Sequence, residues 1–339
     1  MPPVISERLD RYEDTIRDAE MPVDERNRYS RYCDFIYYTS SRTPDIKLAM
    51  RVCKPEKPGY ILATTHGWHM TIPAFEDYSE AQSEYLYVEV DMRGRAFSQG
   101  KPDCNGWELY DIIDAVEYVR QFYAEYILDP SVVYFEAGSG GGGNAFAIAG
   151  KFPDYFAHIS ALCGISDYAQ WYDNDTVGEF RDELDVWVGP RENDTAYRSR
   201  SGLTLAENLC SPMCIVHGET DIRVPSEHSR RYIAAAQAAG HGEKIQYWEI
   251  PGVGTRDHWG NATPEQLAHI ESFCENGRQA NRSPVFIPRR GKMLVGGYLF
   301  TKEFTVILQD IDAVAQVEYD LESRLLHVTG AAVAYSALH

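Results

Sequence analysis

Three residues of this sequence have the types and the chain order needed to turn a hydroxyl into a nucleophile: Ser139, Asp221 and His258. A serine hydroxyl attacks a carbonyl carbon efficiently when a histidine can take its proton. The histidine in turn needs a carboxylate that fixes its tautomer. Each of the three follows a short apolar run, which places it on a loop after a predicted buried strand. The sequence therefore predicts a Ser–His–Asp hydrolytic site.

The residues around Ser139 predict a sharp turn between a strand and a helix. An apolar run at Val132–Phe135 precedes the turn at Ala137–Gly141, and an apolar helix is predicted from Asn144. Glycine suits such a turn because it tolerates unfavourable backbone angles and leaves room for a substrate carbonyl. Ala137 stands where the G-x-S-x-G pattern has glycine, and its side chain is small enough for that position. We interpret this segment as a nucleophile elbow.

The glycines around Ser139 also support a second interpretation. Gly138, Gly140 and Gly143 also spell G-x-G-x-x-G, a fingerprint of dinucleotide-binding loops. That fingerprint normally has an acidic residue about 20 positions farther on, at the end of a second strand. In the segment His158–Asp167 the acid comes well past the predicted strand. A phosphate-binding loop and a glycine-rich turn without function stay open as alternatives at this point.

The acid and the histidine come after the two last predicted strands of the alternating part of the chain. Asp221 follows the run Met213–Val216, and His258 lies on a glycine-rich loop after Ile245–Ile250. The carboxyl ends of parallel strands meet at one edge of a sheet, so both side chains are predicted to reach Ser139. Glu219 is an alternative acid, but it stands nearer the strand and is expected to be structural.

Two backbone amides are predicted to form an oxyanion hole. Gly140 directly follows the nucleophile, and Trp68 follows a glycine after the third predicted strand. His66 and His69 on the same loop have the spacing of a ligand pair. No further ligands occur at zinc spacing, so neither a metal nor a cofactor is predicted.

An aromatic and acidic segment at 166–208 is predicted to be an insertion that caps the site; a packed helical excursion without contact to substrate is the alternative. The residues predicted to contact a substrate are His69, Trp171, Tyr172, Trp187 and Trp259.

Strands and helices alternate along most of the chain, which predicts an α/β fold with a mostly parallel sheet of eight strands and helices on both faces. The first two strands, at 34–39 and 47–52, are predicted to form an antiparallel hairpin. Residues 31–280 are assigned to this domain, and residues 1–30 to a helical segment.

Residues 284–335 change in character to short alternating strands, which predicts a small β-rich extension. Unpaired strand edges associate readily with other strands. We therefore expect that the extension either packs on its own chain or joins copies into a homo-oligomer.

The chain has 339 residues and a formal net charge of −19, which argues against binding to nucleic acids or anionic membranes. Its seven cysteines have no spacing typical of disulfides, and the polar start of the chain does not look like a signal peptide. We expect a protein of the cytoplasm that acts on a small-molecule substrate.

Together these motifs resemble α/β-hydrolases of the prolyl-oligopeptidase and acetylxylan-esterase type, over roughly residues 37–273. The matching segments are HGW at 66–68, DMRGRAFSQG at 91–100, AGSGGG at 137–142, HGETDIRVP at 217–225 and GVGTRDHW at 252–259. The resemblance implies an α/β-hydrolase fold and a serine hydrolase without a cofactor. The chain departs from the family at Thr255–Asp257, where the family commonly has histidine directly after glycine.

We predict a carboxylesterase that forms an acyl-enzyme, and the segment at 91–100 favours short acyl groups, such as acetyl, on a saccharide or similar polyol. An amino- or dipeptidyl peptidase with the same triad is the alternative, with Glu179, Glu183 or Asp185 available to hold a substrate amine. A noncatalytic binding protein on a hydrolase fold is the third possibility.

Overall fold

The computed structural model describes residues 29–73, 78–175 and 178–339. The helical segment predicted for residues 1–30 therefore lies, apart from its last two residues, outside the described part of the chain.

The central sheet has eight strands in the order β1-β2-β4-β3-β5-β6-β7-β8. The β1–β2 and β2–β4 pairs are antiparallel, and all the other pairs are parallel. This arrangement confirms the predicted α/β-hydrolase fold, including its antiparallel start. The strands are β1 Cys33–Thr39, β2 Lys47–Cys53, β3 Ile61–Thr65, β4 Leu86–Val90, β5 Val133–Gly138, β6 His158–Leu162, β7 Met213–Gly218 and β8 Ile245–Ile250.

Seven α-helices are described. They are α1 Glu108–Phe122, α2 Gly140–Lys151, α3 Tyr168–Asn174, α4 Arg181–Trp187, α5 Asp194–Arg200, α6 Glu227–Ala238 and α7 Pro264–Ala280. Short 3₁₀ helices lie at Ala124–Tyr126, Gly202–Asn208 and Gly242–Lys244. The start of α7 follows from its sequence. Thr263 and Gln266 exchange side-chain and backbone hydrogen bonds as a capping box, and Pro264 occupies the first helical position.

Strand β6 shows why the sheet needs helices on both faces. Ile159 and Ala161 belong to the main hydrophobic core, which also contains apolar side chains of α2. His158 and Ser160 point to the other face, which α7 covers. The packing is close at Gly277 of α7, where a Cβ atom would clash with the His158 ring. Buried on both sides, the strand is apolar or small at nearly every position.

The segment after β6 contains α3, α4, α5 and the 3₁₀ helix Gly202–Asn208, and forms the predicted helical insertion. Its centre is a cluster of buried aromatic and aliphatic side chains that includes Tyr168, Trp171, Phe180 and Leu184. Trp68, from the loop after β3, packs against this cluster. The insertion is therefore joined to the edge of the sheet that carries the predicted site.

The β-rich extension is a second sheet of six strands in the order β13-β12-β9-β10-β11-β14. Its strands are β9 Arg290–Gly296, β10 Tyr298–Phe300, β11 Phe304–Leu308, β12 Val314–Asp320, β13 Leu325–Thr329 and β14 Val333–Leu338. The extension has its own apolar core, with Val295, Leu299, Phe304 and Val306 buried.

Contacts between the extension and the α/β domain are specific. Tyr298 stacks on Trp107 at 4.6 Å between ring centroids, and its hydroxyl donates a hydrogen bond to the Gly106 carbonyl at 2.7 Å. Nζ of the buried Lys151 donates to the Gly296 carbonyl at 2.6 Å. The extension thus packs on its own chain. The expected homo-oligomer and the assigned domain boundaries stay predictions.

Candidate active site

Ser139 lies between the end of β5 and the first residue of α2, with φ 57° and ψ −120°. A non-glycine residue with positive φ stores roughly 1–3 kcal/mol of backbone strain, which concentrates at functional sites. The helix begins at Gly140, four residues before the start expected from the sequence at Asn144. The glycine run therefore belongs to the first turn of the helix and not to a loop before it.

Close packing explains why this turn of helix consists of glycine. A Cβ atom on Gly142 would lie 2.6 Å from Cα of Gly164, and one on Gly141 would lie 2.8 Å from Cβ of Ala137. The helix therefore approaches β5 and the chain after β6 at backbone distance. This contact holds Ser139 at the rim of the sheet.

Ser139, His258 and Asp221 form one continuous line of hydrogen bonds. Nε2 of His258 lies 2.8 Å from Oγ of Ser139, and Nδ1 of His258 lies 2.6 Å from Oδ2 of Asp221. The other carboxylate oxygen of Asp221 accepts from the backbone amides of Arg223 at 2.9 Å and Val224 at 3.0 Å. These bonds fix the carboxylate, which in turn orients the imidazole with Nε2 toward the serine.

The extra residues before His258 form a turn of their own. The backbone N–H of Thr255 donates to the Asp257 carbonyl at 2.8 Å, and that of Gly254 donates to the Gly260 carbonyl at 2.7 Å. The loop is closed at its base, so the departure from the family pattern at Thr255–Asp257 does not displace His258 from Ser139.

The backbone amides of Gly140 and Trp68 meet beside the serine. A Cβ atom on Gly140 would lie 2.6 Å from the backbone nitrogen of Trp68, and one on Gly67 would lie 3.9 Å from Cβ of Ser139. Within the described residues, neither amide donates a hydrogen bond to a protein acceptor. Two unused donors next to a serine hydroxyl are what an oxyanion hole requires.

A second histidine lies beneath the triad acid, and its bonds exclude it from the role of base. Nδ1 of His217 lies 2.7 Å from the Ser229 hydroxyl, and Nε2 donates to the Val224 carbonyl at 2.8 Å. Burial lowers its pKa. Cys163, His217 and Asp221 are close enough together to hold a metal ion, but both imidazole nitrogens and the carboxylate already have protein partners.

A small pocket of about 30 Å³ adjoins the two amides. It is lined by His66, Gly67, Trp68, Met92, Arg95, Pro102, Cys104, Glu108, Gly140, Asn144, Tyr168 and Trp187. Burial lowers the pKa of His66 to about 3 and raises that of Glu108 to about 7, so His66 is neutral in this pocket at physiological pH.

The structure brings one of the predicted substrate contacts, Trp187, to this pocket, where its ring lies 5.1 Å from that of Trp68. His69 instead bonds to Glu183, with Nε2 and Oε2 2.8 Å apart. Trp171 is buried, stacks on Phe180 at 4.0 Å and lines a second pocket.

The two remaining predicted contacts, Tyr172 and Trp259, do not line the small pocket. The Tyr172 hydroxyl donates to Asp185 at 3.3 Å, and Trp259 packs on the hydrophobic cluster that contains Val253 and Ile270.

The second pocket, of about 260 Å³, lies between the insertion and the loops that carry Asp221 and His258. Its lining includes the aromatic rings of Trp171 and Phe180 together with charged side chains. There Glu179 pairs with Arg256 at 2.8 Å and with Arg223 at 3.3 Å. These charged residues had no distinguishing spacing in the sequence, because three separate segments supply them.

A sequence model of the prolyl oligopeptidase family matches residues 74–277, which is more than half of the chain. The chain belongs to the prolyl oligopeptidase family. The matched range includes Ser139, Asp221 and His258.

This family member is similar to peptidases and to an esterase. It is 27% identical over 204 residues to dipeptidyl peptidase family member 6 of Caenorhabditis elegans, covering 56% of this chain and 27% of the relative. It is 24% identical over 156 residues to the esterase LipQ of Mycobacterium tuberculosis, covering 42% of this chain and 37% of the esterase. The chain therefore matches about a third of the length of these curated relatives.

Among solved structures, the acylaminoacyl peptidase of Pyrococcus horikoshii superposes with a TM-score of 0.60 at 19% identity. The superposition covers 75% of this chain and 42% of the peptidase. At that identity the likeness establishes the fold alone. In the described part of this family member, no helix is both long and apolar enough to span a bilayer.

Proposed function

We propose that this member of the prolyl oligopeptidase family is a serine carboxylesterase that transfers a short acyl group to water. The observation that carries the proposal is the unbroken line Ser139–His258–Asp221 beside two free backbone amides.

In the proposed cycle, Oγ of Ser139 attacks the ester carbonyl carbon while Nε2 of His258 takes the hydroxyl proton. The amides of Gly140 and Trp68 stabilise the oxyanion that forms. When the tetrahedral intermediate collapses, the bond to the alcohol oxygen breaks and His258 returns the proton to the leaving alcohol. Water then repeats the sequence on the acyl-enzyme and releases the carboxylic acid.

The size of the pocket beside Trp68 and Gly140 supports a short acyl group. A volume of about 30 Å³ accommodates a group of roughly the size of one or two water molecules. An acetyl methyl fits this space, whereas a long acyl chain does not. Arg95 and Trp187 close the pocket, with the guanidinium carbon 5.1 Å from the ring centroid.

For the alcohol part of the substrate we propose a saccharide or similar polyol bound in the pocket of about 260 Å³. Its walls combine aromatic rings with charged and amide groups, which suits a ligand with apolar ring faces and many hydroxyls. Arg256 stands two positions before His258, so this pocket borders the loop that carries the base.

A peptidase acting on a free amino terminus is the second candidate, favoured by the peptidases among the relatives. Such an enzyme needs a carboxylate for the substrate amine, and the carboxylates proposed for that role already have partners. Glu183 is bonded to Trp68 and His69, and Glu179 is paired with two arginines. These pairings favour the esterase.

The test compares the wild type with Ser139→Ala on p-nitrophenyl acetate, butyrate and octanoate, on acetylated sugars and on aminoacyl p-nitroanilides. We expect turnover of acetyl esters, a fall of at least about 10³-fold in kcat for Ser139→Ala and little activity on amides. Higher kcat/KM on the anilides would establish the peptidase. Equal behaviour of the wild type and Ser139→Ala on every substrate would refute the triad and leave a binding protein.

A further inference from the structure

The loop that carries Trp68 is attached to the insertion through one buried carboxylate. Glu183 belongs to α4 and is 2% exposed. Its Oε2 atom accepts a hydrogen bond from Nε1 of Trp68 and lies 2.8 Å from Nε2 of His69. A single carboxylate oxygen thus holds two consecutive side chains of the loop that carries the proposed oxyanion donor.

Aromatic packing holds the Trp68 ring from the other directions. Its centroid lies 4.9 Å from that of Trp171 and 5.1 Å from that of Trp187. Such contacts enclose the ring but are weakly directional. A hydrogen bond between an indole N–H and a buried carboxylate has a defined length and angle, so it sets where the ring sits within this enclosure.

The position of this ring matters because the backbone N–H of the same residue stands beside Ser139. An oxyanion donor must lie about 2.7–3.1 Å from the developing charge, and an error of about 1 Å can cost about 10²-fold in rate. Gly67, directly before Trp68, has no side chain to anchor the loop. Within the loop the Gly67 carbonyl accepts a hydrogen bond from Nδ1 of His66. The side chains of Trp68 and His69 attach the loop to the insertion.

We propose that Glu183 is a positioning residue, whose carboxylate places the Trp68 backbone amide for stabilisation of the oxyanion. The inference rests on the proposed function, since it assigns Trp68 to the oxyanion hole. It gives the insertion a role in the chemical step in addition to forming a wall of the pocket.

The test measures kcat and KM on an acetyl ester, together with the rate at which a fluorophosphonate labels Ser139. The variants are Glu183→Ala, Glu183→Gln, Trp68→Phe and the double variant of Glu183→Ala with Trp68→Phe. Trp68→Phe removes the indole N–H and keeps the backbone amide and an aromatic ring. Asp194→Ala is the matched control, because it removes an exposed carboxylate of the insertion that pairs with Arg191 at 3.8 Å.

We expect Glu183→Ala and Trp68→Phe each to lower kcat and the labelling rate by about 10- to 100-fold, with KM changed by less than about threefold. The double variant should be no slower than the slower single variant, because both changes remove one interaction. Glu183→Gln keeps an acceptor oxygen for the indole and should recover most of the rate. Asp194→Ala should behave as wild type.

The inference is overturned if folded Glu183→Ala keeps kcat and the labelling rate within about twofold of wild type, even with a lower Tm. Additive losses in the double variant would also overturn it. If Glu183→Ala does not fold, a wild-type rate for folded Trp68→Phe overturns it instead. A wild type that labels with fluorophosphonate and hydrolyses no ester would refute the proposed substrate, and the labelling rates would still decide the role of Glu183.

Discussion

The Nδ1 atom of His258 lies 2.6 Å from Oδ2 of Asp221, whose second oxygen is held by two backbone amides of its own loop. Replacing Asp221 with asparagine would present an N–H or a weaker acceptor to the imidazole and favour the wrong tautomer. We expect Asp221→Asn to lower kcat by about 10⁴-fold on the best ester, with intact folding by circular dichroism. Glu219→Gln is the control, because Glu219 accepts a hydrogen bond from the Gly252 amide and not from His258. A large loss of kcat in Glu219→Gln but not in Asp221→Asn would assign the role of the triad acid to Glu219.

The acyl pocket makes a prediction about chain length. Trp187→Ala removes a wall of the pocket of about 30 Å³, so longer acyl chains should become acceptable. Each methylene that gains a place in an apolar pocket is worth about 10-fold or more in specificity. We expect the ratio of kcat/KM for butyrate over acetate to rise at least about tenfold. Tyr172→Ala is the control, because Tyr172 lies outside this pocket, and it should leave the ratio unchanged. If Trp187→Ala also leaves the ratio unchanged, the pocket is not the acyl site.

The close packing of the elbow predicts different tolerances for neighbouring glycines. A Cβ on Gly142 would lie 2.6 Å from backbone atoms of Leu162 and Gly164, whereas one on Gly138 meets nothing nearer than 3.5 Å. Gly142→Ala should therefore lower the free energy of unfolding by about 1–3 kcal/mol, while Gly138→Ala should cause no loss. Urea unfolding of both variants measures this, and equal stabilities would contradict the backbone contact.

Buried histidines should make the fold sensitive to acid. Burial lowers the pKa of His228 to about 3, and neither ring nitrogen has a partner among the described residues. Below pH about 6.5 this imidazole is protonated in the unfolded chain but stays neutral in the folded protein. The free energy of unfolding therefore falls as the pH drops toward 3.

His228→Leu removes this contribution. Between pH 6.5 and 4 the wild type should lose about 3 kcal/mol more stability than the variant, measured by urea unfolding at each pH. His327→Gln on the exposed side of β13 is the control and should keep the wild-type pH dependence. Parallel curves for the wild type and His228→Leu would show that this imidazole is solvated in the folded state.

The stack of Tyr298 on Trp107 predicts how firmly the extension is attached. Tyr298 is fully buried and bonds the Gly106 carbonyl, so Tyr298→Ala removes both packing and a hydrogen bond. We expect a loss of about 3–5 kcal/mol in the free energy of unfolding. Tyr335→Ala, on the outside of the extension and 52% exposed, should cost little. If Tyr298→Ala is as stable as wild type, the extension does not depend on this contact.

The sequence by itself determined the features that depend on nearby residues. Short apolar runs alternating with helices indicated the parallel sheet, because strands buried on both faces are mostly apolar. The turn around Ser139 and the loops that carry Asp221 and His258 each have a local signature. Chain order then allowed the three loops to be assigned to one sheet edge, and the structure places their side chains within hydrogen-bond distance.

The tertiary structure alone decided which side chains from distant segments meet. Nothing near Glu183 in the sequence indicates that it reaches the loop of Trp68, 115 residues earlier. The hydrogen bonds of His69 and Tyr172 to carboxylates could not be predicted either, because aromatic composition does not tell which ring faces a pocket. The start of α2 at Gly140 was missed because glycine disfavours helix locally, and only the close approach of Gly142 to Gly164 explains it.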